Sequence, residues 1–340
     1  MTGSASGYRM PAEWDPHEMT LVAWPQREEA WRGTGIEEAR RSHAEVIGAI
    51  AAFEPVLLVV HPDQADVARR QVTADGVEIL AVPIDDSWLR DSGPIFVVDG
   101  EGGRAGVDFR FNGWGEAFMP YDDDDAVSAR ILDHLGIERI PSGMVLEGGS
   151  ITVDGAGRLA TTEQCLLAPT RNPGMDRGEV ERELRTKLGV EEVIWLGEGL
   201  VEDLDTDGHV DNVAAFIGPG RAVVQTVGSG DDPDHAALSE NVARLEAAGI
   251  EVEELDLLPR IERDGEPVVV PYMNFYFANG AAIVPVGGYD PDMDAEALSR
   301  LGRLLPGREM VGIDGRTLAL GGGGIHCITQ QVPAVAGGLS

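Results

Sequence analysis

Cys327 follows four glycines in the run Gly321-Gly322-Gly323-Gly324-Ile325-His326-Cys327-Ile328-Thr329. With no side chains to crowd the backbone there, another molecule can approach the thiol closely, and the alternation that follows reads as a strand. Elsewhere, polar groups that a core strand should not contain interrupt or precede apolar runs: Asp91, Glu147, His209 and Asp211. A thiol, an imidazole and several carboxylates suit covalent catalysis at an electron-poor carbon. The acids select the electrophile, because they would repel the negative charge that develops in acyl transfer. A planar guanidinium is the natural match, since paired carboxylates accept its N–H groups two at a time, and its charge offsets their desolvation. A thiol with a pKa of about 8.5 is mostly protonated at neutral pH, so either the bound cation or His209 must activate it.

Positioning five such groups requires a repeated scaffold, and the punctuation of the chain supplies one. A strand, a Gly-rich turn, a second strand, an amphipathic helix and a short strand recur. One copy runs from His209 through Gly218-Pro219-Gly220 and a helix near Pro233 to Ala248, ending at Leu257. Others begin at Tyr272, Leu146 and Pro94. A fifth is split between Leu21 to Val60 at the front and Gly324 to Gln331 at the back. Five units, the last strand completing the first, predict an α/β propeller with approximate five-fold symmetry, formed by residues 1–340 as one domain. Asp122 to Asp125 reads as a solvated helix start.

Composition narrows the function. The 340 residues carry a formal charge of -33, which disfavours nucleic acid and anionic membranes as partners and favours a cationic substrate. No apolar stretch spans a membrane, and Met1 to Ser6 lack the start of a secretory signal, so a cytoplasmic location is expected. The two cysteines lie far apart without CxxC spacing, against a disulfide scaffold or thiolate zinc site. Gly155 to Ala160 imitates a dinucleotide fingerprint but precedes strand-like sequence, and Asp203 to Gly208 imitates a calcium loop whose twelfth position is Ala214. No metal or other cofactor is expected. His326 alternates away from Cys327 in a regular strand, Cys165 reads as packed, and His17, His43, His61, His134 and His235 lack a companion set.

Met10 to Trp14, Asp85 to Pro94, Leu146 to Ser150, Gly208 to Asn212, Asn274 to Tyr276 and Ile325 to Gln331 together resemble the agmatine deiminase family. That family belongs to the guanidino-group-modifying (pentein) superfamily and is related to bacterial-type peptidylarginine deiminases. The resemblance spans about residues 8 to 333 and implies the five-unit propeller. It implies that Cys327 attacks the guanidinium carbon and that His209 protonates departing ammonia, then activates water. Asp91 and Asp211 would hold guanidinium nitrogens, Glu147 would bind the guanidinium or steady the imidazole, and Trp88 would cover the aliphatic stem. Asp205, with Glu202, Asp203 and Asp207 nearby, would meet a distal amine. A homodimer or larger oligomer is also implied. Deimination of peptidyl arginine, or amidino transfer through the same intermediate, would use the same core residues.

Overall fold

The computed structural model describes residues 7–31, 33–263 and 265–335. Met1 to Ser6, read above for a targeting signal, lie outside the described residues. Four of the sheets share one connection order. Ala214–Gly218 runs antiparallel to Arg221–Gln225, and the helix His235–Ala247 then returns the chain to Glu251–Leu255, parallel to the middle strand. The same order recurs in the sheets led by Ile95–Val98, Ile151–Val153 and Tyr276–Ala278. A four-stranded sheet joins the two ends of the chain. Its order is Thr329–Pro333, His17–Ala23, Val56–Val60 and Val77–Ala81. Arg260–Arg263 and Glu266–Val269 add a hairpin that the sequence reading did not include.

Local chemistry explains the element boundaries. Arg177–Leu188 starts in a capping box between Asp176 and Glu179 and stops at Gly189, whose φ of 65° suits the left-handed end of a helix. Asp290 accepts hydrogen bonds from the amides of Asp292 and Met293 at the start of Pro291–Leu304. Val56–Val60 is buried throughout, as its unbroken apolar run requires in the interior of a sheet. Apolar clusters join adjoining units: Val97 and Val107 share one with Ile151 and Leu184, and Val223 and Leu255 share another with Phe277 and Val284.

Two readings are corrected by the structure. Of the two placements expected, before or within the leading strands, the polar residues take the first, and the strand read through Cys327 and Asp211 is corrected. Cys327 is in a turn ahead of Thr329–Pro333, and Asp211 in a single helical turn, Val210–Asn212, ahead of Ala214–Gly218. A tight turn can aim successive side chains at one point, which a pleated strand with alternating faces cannot. In the acidic run, Asp124 is buried, not solvated, and accepts from the amides of Asp85 and Asp86 at 2.8 and 3.2 Å. Those orphan amides need an acceptor, and Asp124 supplies it.

Candidate active site

The segments ahead of the five leading strands meet, bringing Asp91, Glu147, His209, Asn274 and Cys327 to one place. The short helix Leu89–Ser92 is tied directly to the thiol-bearing turn. The Arg90 amide donates to the Cys327 carbonyl at 3.0 Å, and the Arg90 Nε donates to the His326 carbonyl at 3.4 Å. Asp91 is held from both sides: Trp114 Nε1 donates to Oδ2 and the Gly149 amide to Oδ1, each at 2.9 Å. Trp114 itself adopts a left-handed φ of 55°, and that backbone geometry points its indole N–H at the acid.

Cys327 is 5% exposed. Its thiol donates to Asp211 Oδ2 at 3.6 Å, while Asn274 Nδ2 lies 3.3 Å from the sulfur. Burial pushes the thiol well above its ordinary range, and the charges of Asp211 and Asp91 push it further. Burial also raises the Asp91 carboxyl, against the pull of His209. For His209, burial opposes protonation, but Asp91, Asp211 and Glu147 outweigh it and raise the pKa. Neither ring nitrogen of His209 has a hydrogen-bond partner, although Nδ1 lies 3.8 Å from Asp91 Oδ1. An imidazole without fixed bonds among acids is free to pass a proton to a bound molecule.

Glycine makes this convergence possible. A Cβ on Gly149 would sit 2.6 Å from His209 Nδ1, 2.9 Å from Asp91 Oδ1 and 3.0 Å from Asp211 Oδ2. One on Gly323 would strike the Trp88 ring at 2.5 Å, and one on Gly322 would meet Asp205 Oδ2 at 2.9 Å. The glycine run thus admits neighbouring side chains to the thiol, as close approach demands.

A cavity of about 190 Å³ opens above the sulfur. Its wall includes Trp88, Asp91, Trp114, Phe118, Asp205 and Cys327. Trp88 stacks on Trp31 with ring centroids 5.6 Å apart, giving the apolar wall a rigid backing. No lysine or arginine is among its described lining residues. Beyond Asp205 and Gly322 it adjoins a second chamber of about 360 Å³, where Glu202 and Asp203 lie.

Glu147 takes a different place from Asp91 and Asp205, and neither Asp211 nor His209 is among the described residues of the cavity wall. Glu147 is fully buried and accepts from Arg171 Nε at 2.7 Å, outside the cavity wall. Its second oxygen lies 3.9 Å from Cys165 Sγ, so Cys165 is packed against an acid rather than in purely apolar surroundings. Ligand atoms of Glu147, Cys165 and His209 lie within 4.8 Å of one another. A cation there would face the Arg171 guanidinium already paired to Glu147, and a thiol whose ionisation burial opposes.

Several partners were missed in the sequence. His326 is buried in the network with Asp211 and Glu13, because the turn removes the alternation that would have pointed it away. His17 also has a companion set: it is 3.0 Å from Glu54 Oε1 and 2.8 Å from the Glu13 carbonyl. His43 is buried against Trp31 and bonded to the Ala39 carbonyl at 2.8 Å. Glu13, an acid inside the apolar run Met10 to Trp14, was the visible signal for this buried cluster.

Known proteins match this arrangement over nearly the whole chain. Residues 9–333 fit the family model of Porphyromonas-type peptidyl-arginine deiminase. The chain belongs to that family. Among relatives of this peptidyl-arginine deiminase family member is a Pseudomonas aeruginosa protein named agmatine deiminase, 40% identical, with 98% of this chain and 97% of that one covered. The solved agmatine deiminase of Enterococcus faecalis is 33% identical and superposes with a TM-score of 0.93 over 98% of this chain and 99% of that one. A substrate-bound agmatine deiminase of C. jejuni is 28% identical, with a TM-score of 0.89 and coverage of 96% and 97%.

Proposed function

We propose that this protein is a hydrolase that converts agmatine and water to N-carbamoylputrescine and ammonia through an S-amidino-cysteine intermediate. The observation that carries this reading is a buried thiol between two carboxylates, at the base of an aromatic cavity with an acid at its outer end. The guanidinium would lie over Cys327, its N–H groups donating to Asp91 and to the unpaired Oδ1 of Asp211. Trp88 would cover the methylene chain, and Asp205 would meet the terminal ammonium. Free arginine would bring its carboxylate toward the exposed acids Glu29 and Asp205, which favours the decarboxylated amine.

The thiol stays protonated in the free protein, and a cation placed beside it supplies the stabilisation that its ionisation needs. The thiol gives its proton to solvent, and the thiolate attacks the guanidinium carbon, forming the C–S bond as the C=N pair withdraws onto nitrogen. His209, protonated among its acids, gives a proton to one terminal nitrogen as that C–N bond breaks, and ammonia leaves. The neutral imidazole next takes a proton from water as its oxygen adds to the amidino carbon. Collapse breaks the C–S bond, the hydroxyl proton passing to the departing sulfur, and releases the neutral ureido product with the thiol restored. Glu147, tied to Arg171, would steady His209 rather than receive substrate.

The wider assignment follows from the same reading. The five sheet units would close into a five-bladed α/β propeller, residues 1–340 acting as one catalytic domain whose site lies where the units converge. The shared apolar clusters of adjoining sheets support that closure. The substrate is a small cationic guanidino compound, the setting polyamine biosynthesis in the cytoplasm, and the assembly a homo-oligomer. Among the described residues, no helix is long and apolar enough to cross a membrane.

Ammonia release measured side by side on agmatine, free arginine and an arginyl peptide tests the assignment. Agmatine should be turned over preferentially, and Cys327→Ala should abolish turnover. Turnover of the peptide alone would overturn the substrate assignment, and unchanged activity in Cys327→Ala would overturn the mechanism.

A further inference from the structure

We propose that His326 is a positioning residue that carries both ring protons: clamped between Glu13 and Asp211, it keeps the Asp211 carboxylate ionised and turned toward substrate. The proposal rests on the deiminase reading above, in which Asp211 receives the guanidinium. His326 Nδ1 lies 2.9 Å from Asp211 Oδ2, and Nε2 lies 3.0 and 3.1 Å from the two oxygens of Glu13. A neutral imidazole has one N–H, so one nitrogen would set its lone pair against a carboxylate at hydrogen-bond distance. Only the imidazolium donates to both sides.

The surroundings fix the ring as well as its charge. Asn274 Oδ1 accepts the His326 backbone N–H at 3.0 Å, and Arg90 Nη1 reaches Glu13 Oε1 at 3.4 Å. The charged and titratable groups around the clamp are therefore Glu13, Arg90 and His17 on one side, and Asp211, His209, Asp91 and Cys327 on the other. Burial and Arg90 oppose protonation of His326, but Glu13 and Asp211 outweigh them. Burial alone would raise Asp211, yet the bond from His326 brings it below the usual carboxylate range.

The consequence for substrate lies in the division of Asp211's two oxygens. Oδ2 takes the His326 N–H and the thiol, whereas buried Oδ1 has no hydrogen-bond partner among the described residues. The clamp thus reserves one oxygen for a guanidinium N–H and prevents the carboxyl from rotating or taking a proton. A protonated Asp211 would offer an O–H where the guanidinium needs an acceptor.

The experiment uses the intact protein, with kcat and KM for agmatine followed between about pH 5 and 9 in wild type, His326→Gln and Glu13→Gln. His326→Gln should raise KM about tenfold, lower kcat less, and move the acid limb of kcat/KM up by about one pH unit. Glu13→Gln should move both in the same direction by less, because Asp211 keeps its ring partner. Nitrogen-15 spectra of the wild type, with the His326 ring assigned through its own backbone and so told apart from the protonated His209, should show both His326 ring nitrogens protonated at pH values well above about 6.5, the ordinary histidine pKa. A neutral His326 ring there, or an unmoved KM and acid limb in folded His326→Gln, would overturn the proposal. Should His326→Gln not fold, the Glu13→Gln profile and the spectra decide, an unmoved limb or a neutral ring counting against the clamp. A wild type inert toward agmatine would instead sink the functional reading, while the spectra would still judge the clamp.

Discussion

The inner and outer ends of the cavity are built on opposite plans. At the inner end Asp91, Asp211, Glu13 and His326 are buried, and partners from distant segments hold each of them. At the outer end Asp205 is exposed beside Leu204, which is 82% exposed, while its loop neighbours Glu202 and Asp207 are tied to Arg260 and Arg171. A reacting carbon tolerates little displacement, so the groups around it need more than one restraint each. A flexible cationic tail needs only favourable charge within reach, which an exposed loop acid can supply.

The sharpest way to break the inner end is Gly149→Ala. Its Cβ would sit 2.6 Å from His209 Nδ1 and displace the imidazole or Asp91, so kcat should fall about a hundredfold with the fold retained. Steady-state kinetics and a circular dichroism spectrum check this, and a normal kcat would show that the inner end is less constrained than its packing implies.

Asp205→Asn tests the outer end and should act more gently. KM for agmatine should rise about tenfold with kcat nearly unchanged, since an exposed charge contributes uniform binding. An equal fall in kcat instead would place the rim in the chemical step.

The smallest effect concerns stability against acid, and it separates the inner end from the aromatic wall by pH. His43, buried beneath the Trp31 and Trp88 wall, is lowered from 6.5 to about 4, chiefly by burial. The unfolded chain therefore takes that proton first, and stability should decline as pH falls from about 6.5 to about 4. Glu13 at the inner end is held at about 2 against a usual 4.5: burial opposes its ionisation, but His326 and Arg90 outweigh it. Its contribution is present above about 4.5 and is lost between there and about 2. Urea unfolding across these windows, with His43→Leu and Glu13→Gln, should flatten the upper and lower decline respectively.

The repeated unit was legible because amphipathic helices and apolar strands write their period into neighbouring residues. The helix His235–Ala247 falls within two residues of its expected limits, Pro233 and Ala248, for that reason. The polar residues ahead of each leading strand were also visible, as groups out of place in apolar sequence. Their local conformation was misjudged, since the alternation from Ile325 to Thr329 fits a strand and a turn equally until its neighbours are known. Glu13, Asn274, Arg90 and Arg171 appeared in the sequence without a task, because a side chain's role depends on which partner it meets.

Taken alone, the amino-acid sequence determined most of the elements, the glycines around the thiol and the cationic character of the ligand it would suit. These follow from covalent neighbours, whose geometry and propensity act within a few residues. Tertiary structure decided that Glu13 meets His326, 313 positions away, and that Arg171 takes Glu147 out of the cavity wall. It also decided that His326 turns toward Asp211 instead of away. Charge and burial act through space, so the protonation of such groups belongs to the folded arrangement and not to any stretch of chain.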